Sequence, residues 1–258
     1  MNPRKLVIGN WKMNGSVPRL RSFAALAAAA PGGCPAALCV PYPLLPAAQT
    51  LLAATPLLWG AQDCSAEDEG AHTGEVSARM LAELGVRYVI VGQSERRAAH
   101  GETDGQVALK ARRALAAGLT PVVCIGESAE ERDAEQTALA LRRQLLQLAR
   151  TLGRELGAVV LAYEPVWAIG SGQALAPGLI DDTHAVIAEL LAFHAGLPAG
   201  TVPILYGGSV NARNAQAILG RQQVAGVLVG GASLEAADFM AIWQAAAHQG
   251  REVSGIGA

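Results

Sequence analysis

Short runs of apolar, often β-branched residues recur along the chain at 5–9 (KLVIG), 37–40 (ALCV), 57–61 (LLWGA) and 86–91 (VRYVIV). Four more follow at 121–125 (PVVCI), 158–162 (AVVLA), 202–205 (VPIL) and 224–229 (VAGVLV). Each is short and bounded by turn-forming or polar residues, the pattern of a buried strand. The segments between them carry a helical period instead. Leu20, Phe23, Ala24 and Ala27 fall at i, i+3, i+4 and i+7, and Leu141, Leu145, Leu148 and Leu152 repeat every three or four residues. Asp104, Pro177 and Ser233 stand where helices would be capped or begin. Strands alternating with helices imply parallel pairing with the helices outside. Eight strand–helix units in 258 residues predict a closed (β/α)8 barrel, with an open doubly wound sheet as the alternative. No linker or compositional break divides the chain, so residues 1–258 read as a single domain.

Composition narrows the function classes. Hydrophobic residues make up 51% and charged residues 16%, enough for a large core, and the net charge of −2 comes with no long run of one sign. That argues against a nucleic-acid groove or a polybasic membrane surface. Cys34, Cys39, Cys64 and Cys124 are scattered, which suits a reducing compartment better than a disulfide framework. The four-residue apolar stretch near the start is too short for a signal peptide, and no run approaches the roughly 18 residues of a membrane span. The sequence therefore predicts a cytoplasmic protein.

In (β/α)8 barrels the chemistry gathers where strands end and βα loops begin. The residues there are Asn10 and Lys12, Asp63, Gln93, Gly126–Glu127, Glu164, Gly207–Ser209 and Gly230–Gly231. Glu164 ends LAYEP, and Pro165 after it favours extended backbone. At an apolar rim its carboxylate would be partly desolvated and raised towards the range of a general base; the alternative is a solvated glutamate. PVWAIGSG (165–172) is apolar where loops are normally polar and has glycines close by, which suits a lid over a substrate or, alternatively, a loop packed permanently on the surface. YGGSV (206–210) and LVGGASL (228–234) put paired glycines after the last two strands. Their backbone N–H groups, with a helix starting near Ser233, would suit a phosphate. Lys12, one of three lysines against seventeen arginines, would balance that phosphate and a developing negative oxygen.

Other signatures are missing. GSGQAL lacks the third glycine of a dinucleotide fingerprint, no P-loop occurs, and the histidines have no metal-ligand spacing. Neither nicotinamide, ATP nor metal is expected, and no cofactor.

NWKMNG (10–15), GAHTGEVSARML (70–81), VIVGQSERR (89–97), CIGE (124–127), AYEPVWAIGSG (162–172), YGGSV and VGGASL (229–234) together resemble the triosephosphate isomerase family, in order across nearly the whole chain. The resemblance implies interconversion of dihydroxyacetone phosphate and glyceraldehyde 3-phosphate. Asn10 and Lys12 would contact the substrate, with Lys12 stabilising an enediolate. Glu164 would move the proton, and Glu95 would fix Lys12. Gly170, Ser209, Gly230 and Gly231 would hold the phosphate. Thr73 in GAHTGE resembles a loop tip that inserts beside a neighbouring subunit's active site, which implies a homodimer. The stretch from Ser171 to Leu175 departs somewhat from the family pattern.

One position departs sharply: the family carries a histidine where this chain has Gln93. In this family that histidine is known to act as a neutral electrophile towards the substrate oxygens. An amide can donate a hydrogen bond there but does not readily relay a proton. The expectation is that Gln93 polarises the substrate, Glu164 also handles the oxygen-bound protons, and turnover is reduced. Two alternatives stand beside this reading: a sister isomerase for another small sugar phosphate, such as a tetrulose phosphate, and a non-catalytic phosphate-binding barrel.

Overall fold

A computed structural model describes residues 5–30, 33–168 and 174–252. The strands are β1 (Leu6–Asn10), β2 (Ala36–Val40), β3 (Leu57–Ala61), β4 (Tyr88–Val91), β5 (Thr120–Ile125), β6 (Val160–Tyr163), β7 (Ile204–Tyr206) and β8 (Gly226–Val229). They pair in parallel in chain order, and β8 closes on β1 with Ile8 opposite Leu228. The closed barrel is thus the one the apolar runs predict, each run overlapping its strand.

The helices cover the outside: α1 (Val17–Ala27), α2 (Leu45–Leu52), α3 (Ala78–Glu83), α4 (Ser94–His100), α5 (Asp104–Ala116), α6 (Ala129–Asp133), α7 (Thr137–Leu152), α8 (Pro177–Ala195), α9 (Ala215–Leu219) and α10 (Ala236–Glu252). Local chemistry starts several of them. Ser16 caps α1 and Ser128 closes a capping box with Glu131 on α6. Two expected starts move. The cap of α5 is Thr103, in a capping box with Gln106, and Asp104 is the first helical residue. No α-helix begins at Ser233: Gly231–Leu234 form a single 3-10 turn, and α10 starts at Ala236. Ser233 is buried, its hydroxyl donating to the Gly230 carbonyl (2.7 Å), so it closes this turn rather than opening a longer helix.

Strand alternation divides the core in two. Leu6, Ile8, Cys39, Ile90, Val122, Cys124, Val160, Ala162, Leu205 and Leu228 fill the barrel interior. Their neighbours, such as Val7, Leu38, Val89, Val123 and Leu161, pack outward against helices that include the Leu141, Leu145, Leu148 and Leu152 stripe of α7. Each leucine of that stripe contributes roughly 1.5–3 kcal/mol by burial. The period of two has a further consequence at the C-terminal mouth. Continuing the inward set by one step reaches Asn10 on β1, Gly126 after β5, Glu164 after β6, Gly207 after β7 and Gly230 after β8. The residues that stand over the barrel are therefore the next rung of its interior.

One buried polar group makes stability depend on pH. His184 lies on the inner face of α8, fully buried, with Nδ1 3.1 Å from the Gln223 carbonyl oxygen. Its Nε2 has no partner among the described residues. Burial pulls its pKa down to about 4, against the weaker opposing pull of the Gln223 carbonyl and Asp181. The unfolded chain accepts a proton near pH 6.5 that the folded chain refuses until about 4, so stability is full above 6.5 and is lost as pH falls. The loss is on the order of 3 kcal/mol by pH 4. Glu164, whose pKa is raised, works in the opposite direction between about 7 and 4.5. The test is therefore a difference: urea midpoints of the wild-type chain and His184→Gln are followed from pH 7.5 to 4. Wild-type stability should fall relative to the variant, and parallel curves would show that His184 does not titrate as described.

Candidate active site

The barrel mouth holds a cavity of about 470 Å³ lined by Asn10, Lys12, Glu164, Ser209, Arg213, Leu228, Gly230, Gly231 and their neighbours. Glu164 is buried and enters from the end of β6. Its backbone N–H donates to the Ile125 carbonyl (2.8 Å). Its Oε2 accepts from the Ser94 N–H (3.1 Å), at the first turn of α4. Desolvation lifts its pKa to about 7, with Glu95 adding to the rise; the Ser94 N–H, Lys12 and the Cys124 thiol oppose it. A carboxylate poised near neutrality is what proton abstraction at neutral pH requires.

Lys12 stands across the same cavity with positive backbone φ (51°), unusual for a side-chain-bearing residue and costing about 1–3 kcal/mol. A closed circuit of hydrogen bonds holds it there. The Lys12 N–H donates to Asn10 Oδ1 (3.1 Å), and Asn10 Nδ2 donates to Gln93 Oε1 (2.5 Å). Gln93 Nε2 donates to the Gln62 carbonyl (2.7 Å), and Gln62 Nε2 donates back to the Lys12 carbonyl (2.9 Å). The backbone groups at both ends can act in only one sense, which fixes the orientation of the amides. The Lys12 ammonium pairs with Glu95 at 2.9 Å, both side chains about two-fifths exposed. A pair so solvated is worth about 0–1 kcal/mol, so an incoming phosphate can compete for the lysine.

Gln93 sits one step aside from the main cavity. It lines an adjoining recess of about 390 Å³ with Lys12, Met13, Tyr42, Gln62 and Glu95. Its oxygen and one N–H are taken by Asn10 and Gln62, which leaves the second N–H of the amide for a ligand. Gln93 also precedes α4 as its N-cap residue, and its carbonyl accepts from Arg96 and Arg97.

The glycine turns after β7 and β8 form the far wall. Gly207, Gly208 and Ser209 face Gly230, Gly231 and Ala232. A 3-10 turn begins at Gly231 with no side chain capping it, and its Ser233 N–H donates to the Gly230 carbonyl (2.8 Å). A Cβ on Gly208 would stand 2.2 Å from the Tyr206 hydroxyl oxygen, so a side chain there would displace that ring.

Not every strand-end residue belongs to the site. Asp63 gives its carboxylate to Lys110 (2.7 Å) and Arg96 (3.0 Å). Glu127 is fully buried beneath the apolar 165–168 segment and accepts from the Tyr163 hydroxyl (3.2 Å) and Trp167 Nε1 (2.8 Å). Arg132 lies 4.0 Å over the Trp167 ring. The first part of the expected lid is therefore anchored at Val166–Ala168; Gly170 lies outside the described residues. Thr73 is exposed in a turn and does not line the cavity. Sequence reasoning missed Arg213, which lines the cavity from the loop after Ser209, and Gln62. Gln62 directly follows β3, where the strand-end pattern could have found it beside Asp63; Arg213 stands seven residues beyond β7, and a lone polar side chain so far into a loop carries no pattern of its own. Among the described residues no cluster of histidine, cysteine or carboxylate groups is placed to hold a metal, and no helix is long and apolar enough to cross a membrane.

A (β/α)8 barrel with a buried carboxylate, a lysine and a glycine-walled recess at its C-terminal mouth defines the class of the barrel isomerases. The sequence model of triosephosphate isomerase matches residues 5–246. The chain is 50% identical over 255 residues to the triosephosphate isomerase of Paracidovorax citrulli, covering 96% of this chain and all of the relative. It is 48% identical over 244 residues to that of Ralstonia nicotianae, covering 93% and 98%. The crystal structure of triosephosphate isomerase from Bartonella henselae superposes with a TM-score of 0.83 at 36% identity, covering 94% of this chain and 98% of that one. The chain belongs to the triosephosphate isomerase family.

Proposed function

We propose that this chain interconverts dihydroxyacetone phosphate and D-glyceraldehyde 3-phosphate with Glu164 as the base. The observation that carries the reading is the Glu164 carboxylate, buried and raised to about 7, sharing one cavity with Lys12 and the glycine walls. The phosphate binds between Ser209 and Gly230–Gly231, where backbone donors meet it. Glu164 removes a proton from the carbon beside the carbonyl. The electron pair moves onto the carbonyl oxygen as an enediolate, and Lys12 and Asn10 stabilise that charge. Glu164 returns the proton to the neighbouring carbon. Gln93 donates its free N–H to a substrate oxygen, while transfer between the two oxygens falls to Glu164, which makes turnover slower than a histidine would allow.

The second copy in a homodimer meets the Thr73 loop. What supports this assembly is the likeness of the exposed GAHTGE loop, with Thr73 at its tip, to the family's subunit-contact loop. The site is cytoplasmic and works without a cofactor.

Coupled assays with D-glyceraldehyde 3-phosphate and with a tetrose phosphate test the substrate. Higher kcat/KM on the triose is expected. A preference for the tetrose would make the chain a sister isomerase, and turnover of neither would leave a phosphate-binding barrel.

A further inference from the structure

Behind the catalytic carboxylate, Gln144 on the buried face of α7 pairs with one residue of the barrel rim. Its Oε1 accepts from the Gly126 N–H (2.9 Å) and its Nε2 donates to the Gly126 carbonyl (2.9 Å). The side chain is buried among the leucines of the α7 stripe. Two antiparallel bonds from one planar amide fix both the place and the tilt of Gly126, which has no side chain to wedge it.

Gly126 in turn lies directly against Glu164. A Cβ there would come 1.8 Å from the Glu164 carbonyl oxygen and 3.4 Å from its Cα. The preceding carbonyl, of Ile125, takes the Glu164 N–H (2.8 Å). The backbone of the base therefore rests on the two-residue segment whose outer side Gln144 grips. The inward Glu164 carboxylate has the Ser94 N–H and the Cys124 thiol on its other sides. The strand edge under Glu164 is thus fixed from the helical layer by one side chain.

We infer that Gln144 is a positioning residue for Glu164: its two-bond grip on Gly126 sets the backbone from which the base reaches the substrate carbon. The inference rests on Glu164 being the base. It separates Gln144 from a residue that merely satisfies a strand end, because positioning acts on proton transfer and not on the phosphate wall, which is built from β7 and β8.

The test is Gln144→Met, which keeps side-chain length and removes both bonds. A displacement of the base on the order of 1 Å costs about 10²-fold, so kcat should fall by about tenfold to 10²-fold. KM for the triose phosphate and the inhibition constant of inorganic phosphate should stay at wild-type values. The acid limb of kcat/KM should move to lower pH, because a carboxylate that is less tightly enclosed loses part of the desolvation that raises it. Gln144→Asn, which keeps the amide but withdraws it by one methylene, serves if the methionine chain does not fold. Wild-type kcat and acid limb in a folded variant overturn the inference, as does loss of folding in both variants, which would assign Gln144 to stability alone. Glu164→Gln run alongside separates the two claims. If that substitution leaves kcat unchanged, the assignment of the base fails; if it abolishes turnover while Gln144→Met has no effect, only the role of Gln144 fails.

Discussion

Glu164→Gln should lower kcat by about 10²–10⁴-fold, the usual worth of a positioned acid–base group, with little change in phosphate affinity. The amide nearly matches the carboxylate in size, so it can occupy the same space under the Ser94 N–H and beside the Cys124 thiol. It cannot take a proton from carbon. The wild-type pH profile carries the same information. Desolvation holds Glu164 up at about 7, so kcat/KM should fall as pH drops through that value and the base becomes protonated. An acid limb near 4.5, where an unperturbed glutamate titrates, would show that the cavity does not enclose the carboxylate as described. A glutamine variant with wild-type kcat would remove Glu164 from the mechanism.

Gln93→His should raise kcat/KM well above tenfold. The gain comes from a ring nitrogen that can give up and regain a proton between the two substrate oxygens, a step worth up to about 10²–10⁴-fold. The start of α4 favours this, since helical N–H groups next to position 93 disfavour a charged imidazole and keep the ring neutral. The structure also names the opposing effect. Gln93 is a member of the circuit from Asn10 through Gln62 to Lys12, accepting at one end and donating at the other. An imidazole has one donor and one acceptor when neutral, so it can replace both bonds only if its geometry spans the same two partners. If the circuit opens, Lys12 loses part of what holds its positive-φ backbone, and KM rises as kcat rises. Measuring kcat and KM separately on the triose phosphate distinguishes these contributions. No gain in kcat would mean that Gln93 is not a handicap and that oxygen proton transfer already runs without it.

The strand pattern and the order of motifs were legible in the sequence because strand burial is a local property: VIV, VVCI and VVLA must lie inside whatever sheet they join. The same holds for Glu164, since Pro165 and the period of two place it on the rung above Val160 and Ala162. Helix starts were legible only to within a few residues. Asp104 and Thr103 are both competent caps, and the capping box with Gln106 decides for Thr103. At Ser233 a serine beside two glycines looks like the opening of a helix, but its hydroxyl turns back onto Gly230 and a single turn intervenes.

By itself, then, the sequence determined the closed barrel, the family, and the residues from which a base, a cation and an anion wall could be drawn. Periodicity and motif carry those facts in short windows. The tertiary structure alone decided which strand-end groups meet. It sends Asp63 to Lys110 and Glu127 to Tyr163 and Trp167, draws Arg213 in from a loop without pattern, turns Gln62 rather than its neighbour Asp63 towards Lys12, and locks Gln93 between Asn10 and Gln62. Those partners are tens of residues apart in the chain, and only closure of the barrel, which brings β1, β3, β4 and β6 to one rim, sets the distances on which their chemistry depends.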